Sequence, residues 1–181
     1  MKFQIHHFDE IPSTNSTARE FAGRGAGNGT VITADFQTRG RGKPGRKWIS
    51  PAGKNLLFSL LLRPPIPVNQ APIITQIACR SVSQVLKDHY EISSRLKRPN
   101  DILVKGKKIC GVLVESSCKA SRLENVVVGI GLNVNSGAKE LLPTATSLSQ
   151  IKGKELDRGK LLKRILNQLR KDLAPLYASR A

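Results

Sequence analysis

The run Asn55-Leu56-Leu57-Phe58-Ser59-Leu60-Leu61-Leu62-Arg63 constrains the fold more than any other stretch of this 181-residue chain. Its apolar residues do not alternate with polar ones, so it reads as a strand buried on both faces, and Pro64-Pro65-Ile66-Pro67 ends it. Such a strand needs neighbours to cover it. Over residues 71–89, Ile74, Ile77, Ala78, Val82, Val85 and Leu86 recur at helical spacing and predict an amphipathic core helix. Residues 158–177 predict a second, with Leu162, Ile165, Leu166, Leu169 and Leu173 on one face. Strands are expected over residues 2–8, over Thr30–Gln37 and over 125–135, with a hairpin turning at Gly106 between residues 102–105 and 107–115. Asp9-Glu10-Ile11-Pro12 reads as a turn, and Ser13, Thr14 and Asn15 offer N-caps to a short helix carrying Ala18, Phe21 and Ala22. Without repeats or linkers, this pattern predicts one α+β domain over residues 1–181. Its sheet should be mixed and largely antiparallel, with helices mainly on one face.

No apolar run is long enough to span a bilayer, so no membrane association is expected. The N-terminal residues Met1 to His7 lack a signal core, which points to a cytoplasmic location. Cys79, Cys110 and Cys118 are odd in number and lack metal-site spacing, so they read as free thiols buried as small hydrophobes. The net charge of +17 invites a nucleic-acid reading. Against it, the cations are spread along the chain, and aromatic residues make up only 4%, too few for stacking platforms. The charge equally serves to steer small anionic ligands or an acidic protein.

The residues that carry chemistry begin at Gln37-Thr38-Arg39-Gly40-Arg41-Gly42-Lys43-Pro44-Gly45-Arg46-Lys47-Trp48, where five cations sit among three glycines. Glycine admits close approach of an anion to backbone N–H groups, and arginine offers a planar fork of donors to carboxylate or phosphate. On composition the stretch reads either as a solvated basic surface loop or as a loop that wraps an anionic small molecule, residues 38–47 then being mobile until the ligand arrives. Three further stretches accompany it. These are Ser13-Thr14-Asn15, Lys97-Arg98-Pro99-Asn100-Asp101 with Lys107-Lys108-Ile109-Cys110-Gly111-Val112-Leu113-Val114-Glu115, and Val128-Gly129-Ile130-Gly131-Leu132-Asn133-Val134-Asn135. Glycines inside a strand mark either close approach of some group to the backbone, or a bulge or tight packing against a helix.

Together, in this order, the four stretches resemble the catalytic domain of the biotin protein ligases over about residues 5–150. The resemblance implies a class II aminoacyl-tRNA-synthetase-like fold and a two-step ligation. Biotin and ATP first give biotinyl-5′-AMP, and biotin then passes to a lysine of the biotin carboxyl carrier protein of acetyl-CoA carboxylase or a related carboxylase. It implies catalytic roles for Lys108, Arg41, Lys43, Arg46 and Asp101, with Lys108 bridging the biotin carboxylate and the α-phosphate. Biotin would be held by Ser13, Thr14, Asn15, Gln37, Gly40, Arg41, Gly42, Lys43, Lys108, Gly111, Gly129 and Gly131. ATP would meet Lys43, Arg46, Lys47, Trp48, Asn100, Lys108 and Asn133. Asp101 would either hold Mg2+ or take the proton of the incoming lysine, and the sequence leaves both open.

The chain departs from the family pattern at Arg98, where tryptophan is usual, and at Lys43, where arginine is common. Neither an N-terminal DNA-binding segment nor a C-terminal β-barrel is evident, so the expectation is a ligase without repressor function and without nucleic acid, as a monomer or homodimer. Two rivals stand beside this reading. One is a lipoate or octanoate ligase or transferase of the same superfamily; the other is a basic nucleic-acid-binding domain without catalysis.

Overall fold

A computed structural model describes residues 1–119 and 122–178. The chain runs β1 (Gln4–Ile11), α1 (Thr14–Gly23), β2 (Thr30–Gln37), β3 (Leu56–Leu62), α2 (Pro72–Tyr90), β4 (Arg95–Lys97), β5 (Asp101–Val104), β6 (Lys107–Lys119), β7 (Arg122–Leu132), α3 (Leu148–Lys152) and α4 (Arg158–Leu173). The seven strands form one sheet in the order β1-β2-β3-β7-β6-β5-β4. Only β1 and β2 pair in parallel, so the sheet is mixed and largely antiparallel, as the pattern predicted.

The apolar run at β3 lies in the middle of that sheet, and all seven of its residues are buried. Alternation divides its side chains between two layers. Leu56, Phe58, Leu60 and Leu62 join Val126, Val128, Ile130 and Leu132 of β7 in the larger core, under α2 and α4. Leu61 and Val127 face the other way and pack with Ala18 and Ala22 of α1. The two long helices thus share one face, and α1 covers one end of the opposite face. The Ser81 hydroxyl, fully buried on α2, donates to the Asp172 carboxylate at 2.6 Å and ties α2 to α4.

Three local expectations change. Asp9, Glu10 and Ile11 continue β1 instead of turning, because Glu10 and Ile11 pair with Phe36 and Gln37 of β2. Tertiary pairing outweighs the turn preference of Asp9, and Pro12 ends the strand. The last helix stops at Leu173, and Pro175 belongs to a separate 3₁₀ turn, Ala174–Tyr177. Cys79 and Cys110 are buried, but Cys118 is exposed. Burial first, and the charge of Asp101 second, push the Cys79 thiol up to about 12, so it packs as a neutral hydrophobe.

Asp157 caps α4, accepting from the Lys160 backbone N–H at 2.9 Å. That bond holds its carboxyl below the ordinary carboxylate value. A depressed folded-state value means that the stabilisation is present above the unfolded-state value and is lost as pH falls through the folded one. Asp157→Asn should therefore lower the melting temperature at neutral pH and flatten the acid side of its pH profile. Thermal melts from neutral to acid pH check this.

Candidate functional site

The face of the sheet left free by α1 carries a cavity of about 110 Å³, which shares a wall with a groove of about 780 Å³. Its floor is backbone. Gly129 and Gly131 of β7 and Gly111 of β6 have the same strand parity, and Gly111 pairs directly with Gly131. A Cβ at Gly129 would fall on Oδ1 of Asn15, and one at Gly131 would lie 2.5 Å from the Trp48 ring. The glycines are there because two side chains rest directly on the strands.

At one end of the cavity α1 supplies polar groups. Ser13, Thr14 and Asn15 line it and are almost fully buried. Ser13 occupies the N-cap position yet makes no side-chain cap bond, so these residues serve the cavity rather than the helix end. Gln37 Oε1 accepts from the Thr14 N–H at 2.7 Å and from its hydroxyl at 3.1 Å. Asn15 Nδ2 donates to Glu115 Oε2 at 2.8 Å. Beneath them Ser59, fully buried, lies within hydrogen-bond reach of Thr14 Oγ1 at 2.8 Å and donates to Asn15 Oδ1 at 2.6 Å. Leu57 and Leu113 give the cavity apolar walls. The result is a set of fixed donors and acceptors in an otherwise greasy slot, suited to a small polar ring.

The other end is cationic. Arg41, Gly42, Lys43, Arg46, Lys47 and Trp48 reach the cavity from the glycine-basic loop. The loop is closed by its own backbone: Gly42 N–H to Arg46 O at 3.0 Å, Arg46 N–H to Lys43 O at 2.8 Å, and Trp48 N–H to Gly40 O at 3.0 Å. Lys108 enters from β6, with its backbone held between Thr144 O and the Thr146 N–H. Its ammonium lies 2.7 Å from Asp101 Oδ1 and 5.3 Å from the Trp48 ring centroid. Asn100 also lines the cavity, its side chain donating to Val112 O at 2.6 Å. The indole Nε1 of Trp48 is buried and has no hydrogen-bond partner among the described residues. Two segments far apart in sequence thus bring positive charge to the walls of one cavity.

Residues 8–133 match the Biotin/lipoate A/B protein ligase family. The chain belongs to that family. It is 42% identical over 166 residues to the bifunctional ligase/repressor BirA of Bacillus subtilis, covering 90% of this chain and 51% of that protein. It is 31% identical over 169 residues to the biotin–[acetyl-CoA-carboxylase] ligase of Mycobacterium tuberculosis, covering 89% of this chain and 62% of that one. Among solved structures, the biotin protein ligase of Aquifex aeolicus in complex with biotin and ATP superposes with a TM-score of 0.83 at 34% identity. That match covers 96% of this chain and 72% of the other. The chain spans about half the length of the BirA relatives it matches.

Two family-pattern residues do not reach the cavity. Asn133 is buried, and its side chain donates to Thr146 O at 3.0 Å, anchoring the segment that clamps Lys108. Gly40 lines only the groove, where it packs under the Trp48 backbone. Arg98, which stands where this ligase family usually has tryptophan, points to a separate cleft beside Gln76 and Cys79 of α2. The departure therefore lies outside the cavity, whereas Lys43 lies within it.

Sequence reasoning missed Ser59 and Glu115. A lone hydroxyl inside a strand buried on both faces is a signal, since it must find a partner. Glu115 shares the parity of Gly111 and Leu113, and its carboxylate meets Arg41 Nη2 at 2.6 Å. Among the described residues, the one group of three side chains able to hold a metal is His7, Asp9 and Asp35, and none of these lines the cavity. No helix among the described residues is long and apolar enough to cross a membrane.

Proposed function

We propose that the chain is the catalytic unit of an ATP-dependent biotin–protein ligase. What carries the reading is that the basic loop and Lys108 line the same cavity as the fixed polar groups of α1 and Gln37. Asn15, Thr14, Ser13 and Gln37, supported by Ser59, match the paired donors and acceptors of a ureido ring. Leu57 and Leu113 suit the apolar remainder of biotin, and the valerate carboxylate then points toward Lys108 and Arg41.

In the first step a biotin carboxylate oxygen bonds to the α-phosphorus, and the bond from that phosphorus to the β-bridging oxygen breaks, releasing pyrophosphate. Bringing two such anions to 4 Å costs about 4 kcal/mol at an effective dielectric near 20. Lys108, Arg41, Lys43 and Arg46 are the groups that offset it. In the second step the carrier lysine, as a neutral amine, bonds to the acyl carbon. The acyl–oxygen bond breaks, AMP leaves, and the ammonium proton is lost to solvent or base.

Magnesium on the triphosphate supplies further charge neutralisation when bound. Asp101, the only carboxylate lining the cavity among the described residues, is the residue that would hold it. One carboxylate plus phosphate oxygens and water fits that ion's usual environment. The 2.7 Å pair with Lys108 favours Asp101 as the anchor of that ammonium over a free proton acceptor. Trp48, which rests over the glycine floor, is the aromatic side chain available to the nucleotide base.

The test is to incubate the protein with ATP, magnesium, a biotin carboxyl carrier domain and either biotin, lipoate or octanoate. One added biotin on the carrier, by mass, is the expected product. Lipoyl or octanoyl transfer in its place would overturn the substrate assignment. Salt-sensitive nucleic-acid binding with no acyl transfer would overturn the enzyme.

A further inference from the structure

Glu115 is a carboxylate at which three separate parts of the site meet. Its side chain is 20% exposed on β6, and its two oxygens divide the work. Oε2 accepts from Asn15 Nδ2 on α1 at 2.8 Å. Oε1 accepts from Arg41 Nη2 on the basic loop at 2.6 Å, and Arg19 Nη1 of α1 lies 3.8 Å from the same oxygen. Asn15 and Arg41 both line the cavity.

Resting on the ligase reading above, we infer that Glu115 is a positioning residue that holds Arg41 in place to receive the substrate carboxylate. Arg41 is a long side chain, 40% exposed, on a glycine-rich loop, and ordering it costs conformational entropy. Glu115 meets that cost in the free protein. The pair occupies one of the two terminal nitrogens of the guanidinium, and the donors on the other nitrogens stay available. Preorganisation of this kind tightens binding of whatever Arg41 contacts and leaves other parts of the ligand unaffected. Glu115→Gln separates the two arms. The amide oxygen still accepts from Asn15, while the amide NH₂ confronts the guanidinium donor with donor, releasing Arg41.

The experiment is equilibrium binding of biotin and of biotinol, the alcohol that lacks the carboxylate, to the full chain and its variants. E115Q should weaken biotin about tenfold, the order expected for freeing one long side chain, and change biotinol less than about twofold. In an R41A background E115Q should add nothing. Equal weakening of both ligands, unchanged biotin binding, or an E115Q effect that persists in R41A would overturn the inference. Should E115Q not fold, Glu115→Asp in the wild-type and R41A backgrounds supplies the comparison: the part of its effect that R41A abolishes must be larger for biotin than for biotinol. A wild-type protein that binds neither ligand overturns the ligase reading, and the inference with it. A wild-type protein that binds biotin but shows no split overturns only the inference.

Discussion

Lys108→Ala will reduce biotin-dependent adenylate formation by about 10²–10³-fold or more, the effect of deleting a principal donor to a developing anion. Among the described residues the ammonium is the one positive charge that β6 brings to the cavity. ATP–pyrophosphate exchange measures the loss directly, without requiring a carrier. The fold should survive, because Lys108 is one-third exposed and its strand is held by backbone bonds to Thr144 and Thr146. A thermal melt within a few degrees of wild type separates lost chemistry from lost structure. Lys108→Arg should restore only part of the rate, since the guanidinium is broader and its charge more diffuse. Undiminished exchange by the alanine variant would remove the central element of the mechanism.

Gly129→Ala should damage both the fold and the site. The new Cβ coincides with Asn15 Oδ1, and Asn15 cannot retreat, being held by Ser59, Glu115 and Leu113 O. Either β7 shifts or Asn15 leaves its partners. Overpacking of this kind costs roughly 1–3 kcal/mol of stability. Displacing the polar end of the cavity should also weaken biotin about 10- to 100-fold, equivalent to about 1.4–2.8 kcal/mol. Gly131→Ala provides the comparison. Its Cβ meets Trp48, a ring that also borders the open groove. That variant should stay closer to wild-type stability and raise KM for ATP more than for biotin. Urea unfolding together with separate KM values for the two substrates decides the matter; identical profiles for the two alanine variants would contradict the division of the floor.

What could be read beforehand follows physical rules of unequal range. The β3 run, α2 and α4 were legible because burial on both faces and helical periodicity leave a direct imprint on residue order. The glycine-basic loop and Lys108 were legible because their composition is costly unless a ligand uses it. Asn133 was misleading, since an amide beside a glycine pair has the same letters whether it faces a ligand or Thr146 O. Glu115 went unassigned because its meaning lies in Asn15 and Arg41, 100 and 74 residues away. Ser13 looked like a cap, and only the tertiary placement of Gln37 and Ser59 shows what the segment around it faces. Local preference also failed at Asp9 to Ile11, where a parallel partner strand was invisible from the local residues.

The odd–even division of β7 makes the protein unusually vulnerable to changes of length rather than of letter. One extra residue ahead of Gly129 would turn Val128 and Ile130 up beneath Asn15 and Trp48, and would drop bare glycines into the layer that α2 and α4 cover. Ligand recognition and the oily interior would then fail together, from a single codon's insertion that alters no side chain's identity.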